Sequence, residues 1–263
     1  MQWGSFGPVH IATLFLGAAL IVGLYYILKN RSQKVQTIVM GMLSLYCVTA
    51  VVWDFLNWGS PLQYLPLHLC SFNAMVLPIA IFTRSKVLCN TLLVWSLGAV
   101  AALVINTAQA EYVLFSPVFN FFFFSHVLEF GLPILMFKLG LVKKDVRCIG
   151  STLGLTLVLY TVVHFINLGI NAYCEANQIL DWAGNVIKVN YMYSLWSENA
   201  LLNVFYALIP HTYWYMYLIF PILTVYLLII YAPQIRENMR KDSKKRRFSV
   251  LRKVGAFGMF KVR

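Results

Sequence analysis

"VHIATLFLGAALIVGLYYIL", residues 9–28, runs for twenty positions without an Asp, Glu, Lys or Arg. A helix of that length rises about 30 Å, the thickness of a bilayer's hydrocarbon core. No charged side chain precedes it, and Lys29, Arg31 and Lys34 follow it. That is the reverse of a cleavable signal peptide, so the stretch reads as a retained first membrane span.

Further apolar stretches cover roughly 35–57, 65–83, 87–107, 119–138, 148–171 and 212–232. With 60% hydrophobic and 11% charged residues in 263, a soluble domain is excluded. The expectation is an all-α, polytopic bundle of about seven transmembrane helices, residues 1–232, with a basic tail at 233–263. Every basic residue but Lys188, 20 of 21, falls in alternate connections or the tail. The positive-inside rule then puts the N-terminus outside and the C-terminus in the cytoplasm of a multi-pass cell-membrane protein. The net charge of +12 follows from that bias and calls for no nucleic acid. The tail, with eleven Lys/Arg and Phe248, Leu251, Phe257, Met259 and Phe260, is expected to lie on anionic inner-leaflet lipids. The outer segment 172–211 reads as a lid, with a helix expected in "ENALLNVFYALI", residues 198–209.

Polar groups are costly in hydrocarbon and face a bundle's interior, so their positions carry the functional signal. Span two ends with Trp53, Asp54, Asn57 and Trp58. "YLPLHLCSFNAM", residues 64–75, opens span three with His68, Cys70, Ser71 and Asn73. Span four ends with Asn106 and Thr107, span five carries Ser125, His126 and Glu129, and span six carries a stripe of His164, Asn167 and Asn171. On a 1.5 Å rise Cys70 lies ~21 Å above Arg84, His126 ~18 Å above Lys138 and His164 ~25 Å above Arg147. These groups share a layer in the outer half, capped by "VNYMY", residues 189–193, and "IPHTYWYMY", residues 209–217. Each also has a bland reading: an interfacial histidine, an inert buried cysteine, helix-to-helix hydrogen bonds, an aromatic belt. Residues 68 and 70 stand ~160° apart around a helix, so either His68 with Ser71 or Cys70 with Asn73 faces the site. If Cys70 is a nucleophile, its base must come from another span, and His126 is at the right depth. The five cysteines show no CxxC pair and no metal spacing, so neither a structural disulfide nor a metal or cofactor is expected.

With "LPLHLC" (65–70), "FFFFSH" (121–126), "NYMYS" (190–194) and "HTYWYMY" (211–217), the chain resembles the YwaF-type family of bacterial integral membrane proteins over about residues 35–232. Where that family often has an acid after the cysteine, this chain has Ser71. The family is in turn similar to transmembrane protein 164, a eukaryotic ether-phospholipid acyltransferase, and remotely to the androgen-induced-gene hydrolases of fatty-acid esters. The resemblance implies an intramembrane Cys or Thr nucleophile with a His from another span. His126 matches that histidine. The eukaryotic cysteine immediately precedes a histidine, where this chain has Leu67, and Cys70 lies one turn along.

The expected function is therefore an acyltransferase or lipid ester hydrolase acting on phospholipid or lysophospholipid from the outer leaflet. Cys70, His126 and Glu129 would do the chemistry, and His68, Asn73, Asp54, His164, Asn167, Asn190 and His211 would bind substrate. The alternatives are a non-catalytic protein that binds or transports a lipid or small solute in the same cavity, a seven-span receptor, and a metal hydrolase built on His68, His126 and His164. No HxxxH or HExxH spacing supports the last.

Overall fold

The computed structural model describes residues 1–57, 60–105, 109–198 and 200–258, and the side chains of 1–241 among them. The expected Trp58, Asn106 and Thr107, and the tail side chains from Phe248 to Phe260, lie outside what is described. The architecture is all-helical, 74% of the chain, with isolated bridges and no strand among the described residues. The helices are α1 (Pro8–Leu28), α2 (Gln33–Asn57), α3 (Leu69–Thr83), α4 (Lys86–Val104), α5 (Pro117–Lys138), α6 (Cys148–Ala176), α7 (Ala200–Leu208) and α8 (Ile219–Gly258).

Six segments are long and apolar enough to span a bilayer: α1, α2, α4, α5, α6 and Trp214–Lys241. The protein is a multi-pass membrane protein. The seventh expected span, 65–83, contains only the 15-residue α3. At ~1.5 Å per residue α3 rises ~22 Å, short of the ~30 Å core. Its late start has a local cause. Leu65 precedes Pro66, which biases it to extended backbone, and the Tyr191 hydroxyl donates to Leu62 O and accepts from Leu65 N–H (3.0 Å). The backbone groups that would open a longer helix are thus bonded elsewhere, and His68 (φ −77°, ψ 155°) is the extended residue before the first turn.

Other boundaries follow from capping. Ser116 accepts from Phe119 N–H (3.2 Å) ahead of Pro117 at the first helical position, and Ser85 starts α4 by accepting from Leu88 N–H. The expected tail from residue 233 continues α8 as helix through Pro233, and the expected lid helix is the nine-residue α7.

Short α3 sits at the centre. Ala74, Leu77, Ala80 and Ile81 are fully buried, in one cluster with Leu92 and Trp95 of α4, Leu132 and Met136 of α5, and Leu227 and Tyr231 of α8. α1 is peripheral and approaches α5 closely where side chains are absent: a Cβ on Gly17 would stand 2.8 Å from Val127 Cγ2, and one on Gly131 would overlap Ile21. Hydrogen bonds set the directions. Thr91 pairs with Thr152 and Trp95 with Thr156, so α4 and α6 run parallel, whereas Tyr226 reaches Leu93 O and Tyr231 reaches Asn90, so α8 runs against α4. α3 and α5 each sit beside α4 across one connection and share the opposite direction. The basic connections gather at one end, where Val146 N–H bonds Gln234 (3.0 Å). The N-terminal residues pair with 110–114 at the other, Trp3 N–H reaching Tyr112 O at 2.8 Å.

Candidate functional site

Pro133, inside α5, has no N–H to give the carbonyl four residues back, which belongs to Glu129. Asn73 of α3 supplies the missing donor, Nδ2 to Glu129 O at 3.2 Å. Both residues are buried, Glu129 to 2% exposure, and two acceptor oxygens there are left without a partner: Asn73 Oδ1 and Glu129 Oε2. Buried, unpaired polar atoms are rare and mark places where a further donor is called for.

The Asn73–Glu129 contact also fixes the register of two parallel helices. One turn toward both N-termini leads from Asn73 to Cys70 and from Glu129 to His126, so these two are level. Cys70 is the second residue of α3, in its first turn. The N–H groups of Cys70 and Ser71 and the Ser71 hydroxyl lie around its sulfur, and the Glu129 carboxyl lies near both Cys70 and Cys47. His126 is 8% exposed, packs on Phe122 (ring centroids 4.3 Å) and donates from Nδ1 to Phe122 O at 2.7 Å. A neutral imidazole bonded that way keeps its lone pair on Nε2. No hydrogen bond joins Cys70 to His126 or His126 to Glu129 among the described residues.

His68 faces elsewhere. Its Nδ1 accepts from Met192 N–H (3.4 Å), and its ring lies against Tyr191 and Tyr193. Of the two faces left open by sequence, the Cys70–Asn73 face meets α5, and His68 meets a strap at 189–194 across the top of the site. Tyr193 lies between the two sides: its ring is 5.7 Å from that of His68, and it is near Cys70.

The stripe on α6 fastens that strap. Asn167, fully buried, donates to Tyr191 O (2.8 Å) and Ser194 Oγ (2.9 Å) and accepts from Tyr191 N–H (3.0 Å). Asn171 grips both backbone groups of Val189, and His164 Nδ1 bonds Ser194 Oγ at 3.1 Å. Asn190 donates to Trp196 O and Glu198 and accepts from Leu195 N–H. Tyr215 adds bonds to the carbonyls of Tyr193 and Trp196. The strap is bent by two consecutive left-handed residues, Met192 (φ 53°) and Tyr193 (φ 55°). The amides of Asn167 and Asn190, expected to meet substrate, thus bond this chain's own backbone, as does that of Asn171. Asp54 and His211 are exposed, Asp54 near Tyr64 and Tyr112, and neither reaches Cys70.

A polar cleft of about 220 Å³ opens above the strap, bounded by Tyr64, His68, Lys188, Asn190 and Glu198. His68, His126 and His164 do not converge, and no metal-binding group of three side chains occurs among the described residues. All five cysteines are free. Sequence reasoning passed over Tyr191, Tyr193 and Ser194 as individual residues. Asn167 and Asn171 on one helix face were the available signal for a polar partner.

The sequence model of the TMEM164 family matches residues 5–231, from the N-terminal segment into α8. The chain belongs to the TMEM164 family. The TMEM164 match takes in Cys70, His126, Glu129, the strap and its clamps, and leaves out the basic end of α8. No curated protein and no solved structure matches the chain.

Proposed function

We propose that this TMEM164-family chain is a membrane-embedded acyl-chain enzyme, of the YwaF-type bacterial branch, working in the cell membrane on phospholipid or lysophospholipid from the outer leaflet. The observation that carries the reading is the level pairing of Cys70 and His126, set by the Asn73–Glu129 contact between parallel helices. Cys70 gives its thiol proton to Nε2 of His126, and its sulfur attacks the ester carbonyl. The C–O bond breaks, the departing lysolipid oxygen takes the proton from His126, and the acyl group remains as a thioester. A lysophospholipid hydroxyl, or water in a hydrolase, then attacks the thioester with His126 again as base, releasing product and the Cys70 thiol. Glu129, one turn from His126, balances the imidazolium charge while it lasts. His164, Asn167 and Asn190 act by holding the strap as the site's wall, and His68, Asp54 and His211 line the way in for the headgroup. An intramembrane site lets acyl chains enter sideways without leaving hydrocarbon.

The test is intact-protein mass spectrometry after incubation with phospholipid, on wild type, Cys70→Ala and His126→Ala. An acyl-sized adduct released by hydroxylamine and lost in both variants is expected. The polar cleft above the strap favours one other reading, a non-catalytic carrier or binder of a lipid or polar solute. Its signature is no adduct, with lipid co-purifying equally in all three proteins, and that result would overturn the enzyme.

A further inference from the structure

A further cleft lies away from this site. About 670 Å³ in volume, it lies between α4, α5 and α8 at the basic end, within the ~300–1,000 Å³ of typical ligand sites. Its walls are apolar: Leu97 and Val100 of α4, Phe130 and Ile134 of α5, and Ile230 of α8. Its lower rim is Lys138, Lys143 and Lys144, all exposed. The α5–α6 connection turns back at Gly140 (φ +73°), with the N–H groups of Leu141 and Val142 bonded to Met136 O, and this brings Lys143 and Lys144 beside Lys138.

Three ammonium groups are gathered there without an anion. Among the described residues the ion pairs are Arg147–Asp145 and Lys241–Glu237, so the one acid of the connection is turned to Arg147. A greasy slot ending in unpaired cations complements one ligand class, a molecule with a long apolar chain and an anionic head; basic pockets between membrane helices hold such headgroups.

We propose that this cleft is a binding site for one anionic phospholipid of the leaflet on the basic side, an acyl chain lying between α4, α5 and α8 and its phosphate on Lys138, Lys143 and Lys144. The site is separate from Cys70 and does not depend on the acyl-transfer reading. It differs from diffuse attraction to the basic tail because it is saturable by one molecule and needs both the slot and these three lysines.

The experiment is native mass spectrometry of the full chain, reconstituted with equal amounts of phosphatidylglycerol and phosphatidylcholine of the same acyl composition and then stripped in detergent. Wild type should keep one phosphatidylglycerol per chain in preference to phosphatidylcholine. Lys138→Ala/Lys143→Ala/Lys144→Ala should lower that retention about ten-fold or more, and the corresponding triple arginine variant should keep it. Val100→Trp, which fills the slot, should lose it with the lysines intact. The tail pair Lys244→Ala/Lys245→Ala should behave as wild type. Retention unchanged in the triple alanine variant, no preference for the anionic lipid, or loss caused by the tail pair alone would each overturn the proposal. If the triple alanine chain does not survive purification, Val100→Trp decides: retention at the wild-type level overturns it.

Discussion

Asn73 stands in for an N–H that Pro133 cannot provide, and a double-mutant cycle isolates that relation. In the wild-type background, Asn73→Ala leaves the Glu129 carbonyl bare in a dry helix interface. A hydrogen bond of this kind contributes about 1–2 kcal/mol, and the orphaned carbonyl adds to the loss. With roughly 2–4 °C of melting temperature per kcal/mol for a chain of this size, thermal unfolding in detergent should shift down by about 2–8 °C. Pro133→Ala restores the N–H that α5 itself directs to Glu129 O. In that background Asn73→Ala removes a bond the helix already makes, and its cost should drop to about 0.5 kcal/mol or less. The coupling between the substitutions is then about 1 kcal/mol, well beyond the error of additive sites. An Asn73→Ala shift of equal size in both backgrounds would refute the reasoning, and the Asn73 amide would need another role.

Asn167→Ala should free the strap more than it unfolds the bundle: its three bonds to 191 and 194 amount to about 2–4 kcal/mol, so amide exchange at Tyr191 should speed up about 30- to 1,000-fold. Asn171→Ala should act mainly on Val189, and unchanged exchange at both amides would remove the clamp. At the basic end, Arg147 holds the Asp145 carboxyl down to about 2 from its ordinary 3.8. A depressed folded value means that the stabilisation is present above 3.8 and disappears as pH falls through about 2, so acid titration of wild type against Asp145→Asn should diverge above that window and converge below it.

Six spans were legible in the sequence because length and apolarity suffice for crossing a bilayer, and α1, α2, α4 and α5 begin or end within a few residues of the composition breaks. α3 was not, because its start is decided by Tyr191, a partner 126 positions away that takes up Leu62 and Leu65. α6 runs past its expected end to Ala176, since Asn171 in that turn has a backbone to hold. The polar layer itself could be read from depth, and the helix spacing set His68 with Ser71 against Cys70 with Asn73 without deciding between the two faces. What those faces meet could not be read. Pro133 was visible, but that its bare carbonyl lies beside Asn73 depends on helix register. The stripe on α6 looked like ligand-binding chemistry for the same reason: periodicity reveals a polar face and is silent about whether a substrate or the chain's own backbone will cover it.

The strap closes with Met192 and Tyr193 both in the left-handed region, a geometry that costs an L-residue about 1–2 kcal/mol each. That energy returns when the segment lifts. The cover therefore acts as a sprung latch: its asparagine catches oppose a recoil of about 2–4 kcal/mol, which raises the unlatched population about 30- to 1,000-fold over that of a relaxed loop with the same bonds. In this strap the asparagine catches, more than the left-handed turn, set how often the segment opens.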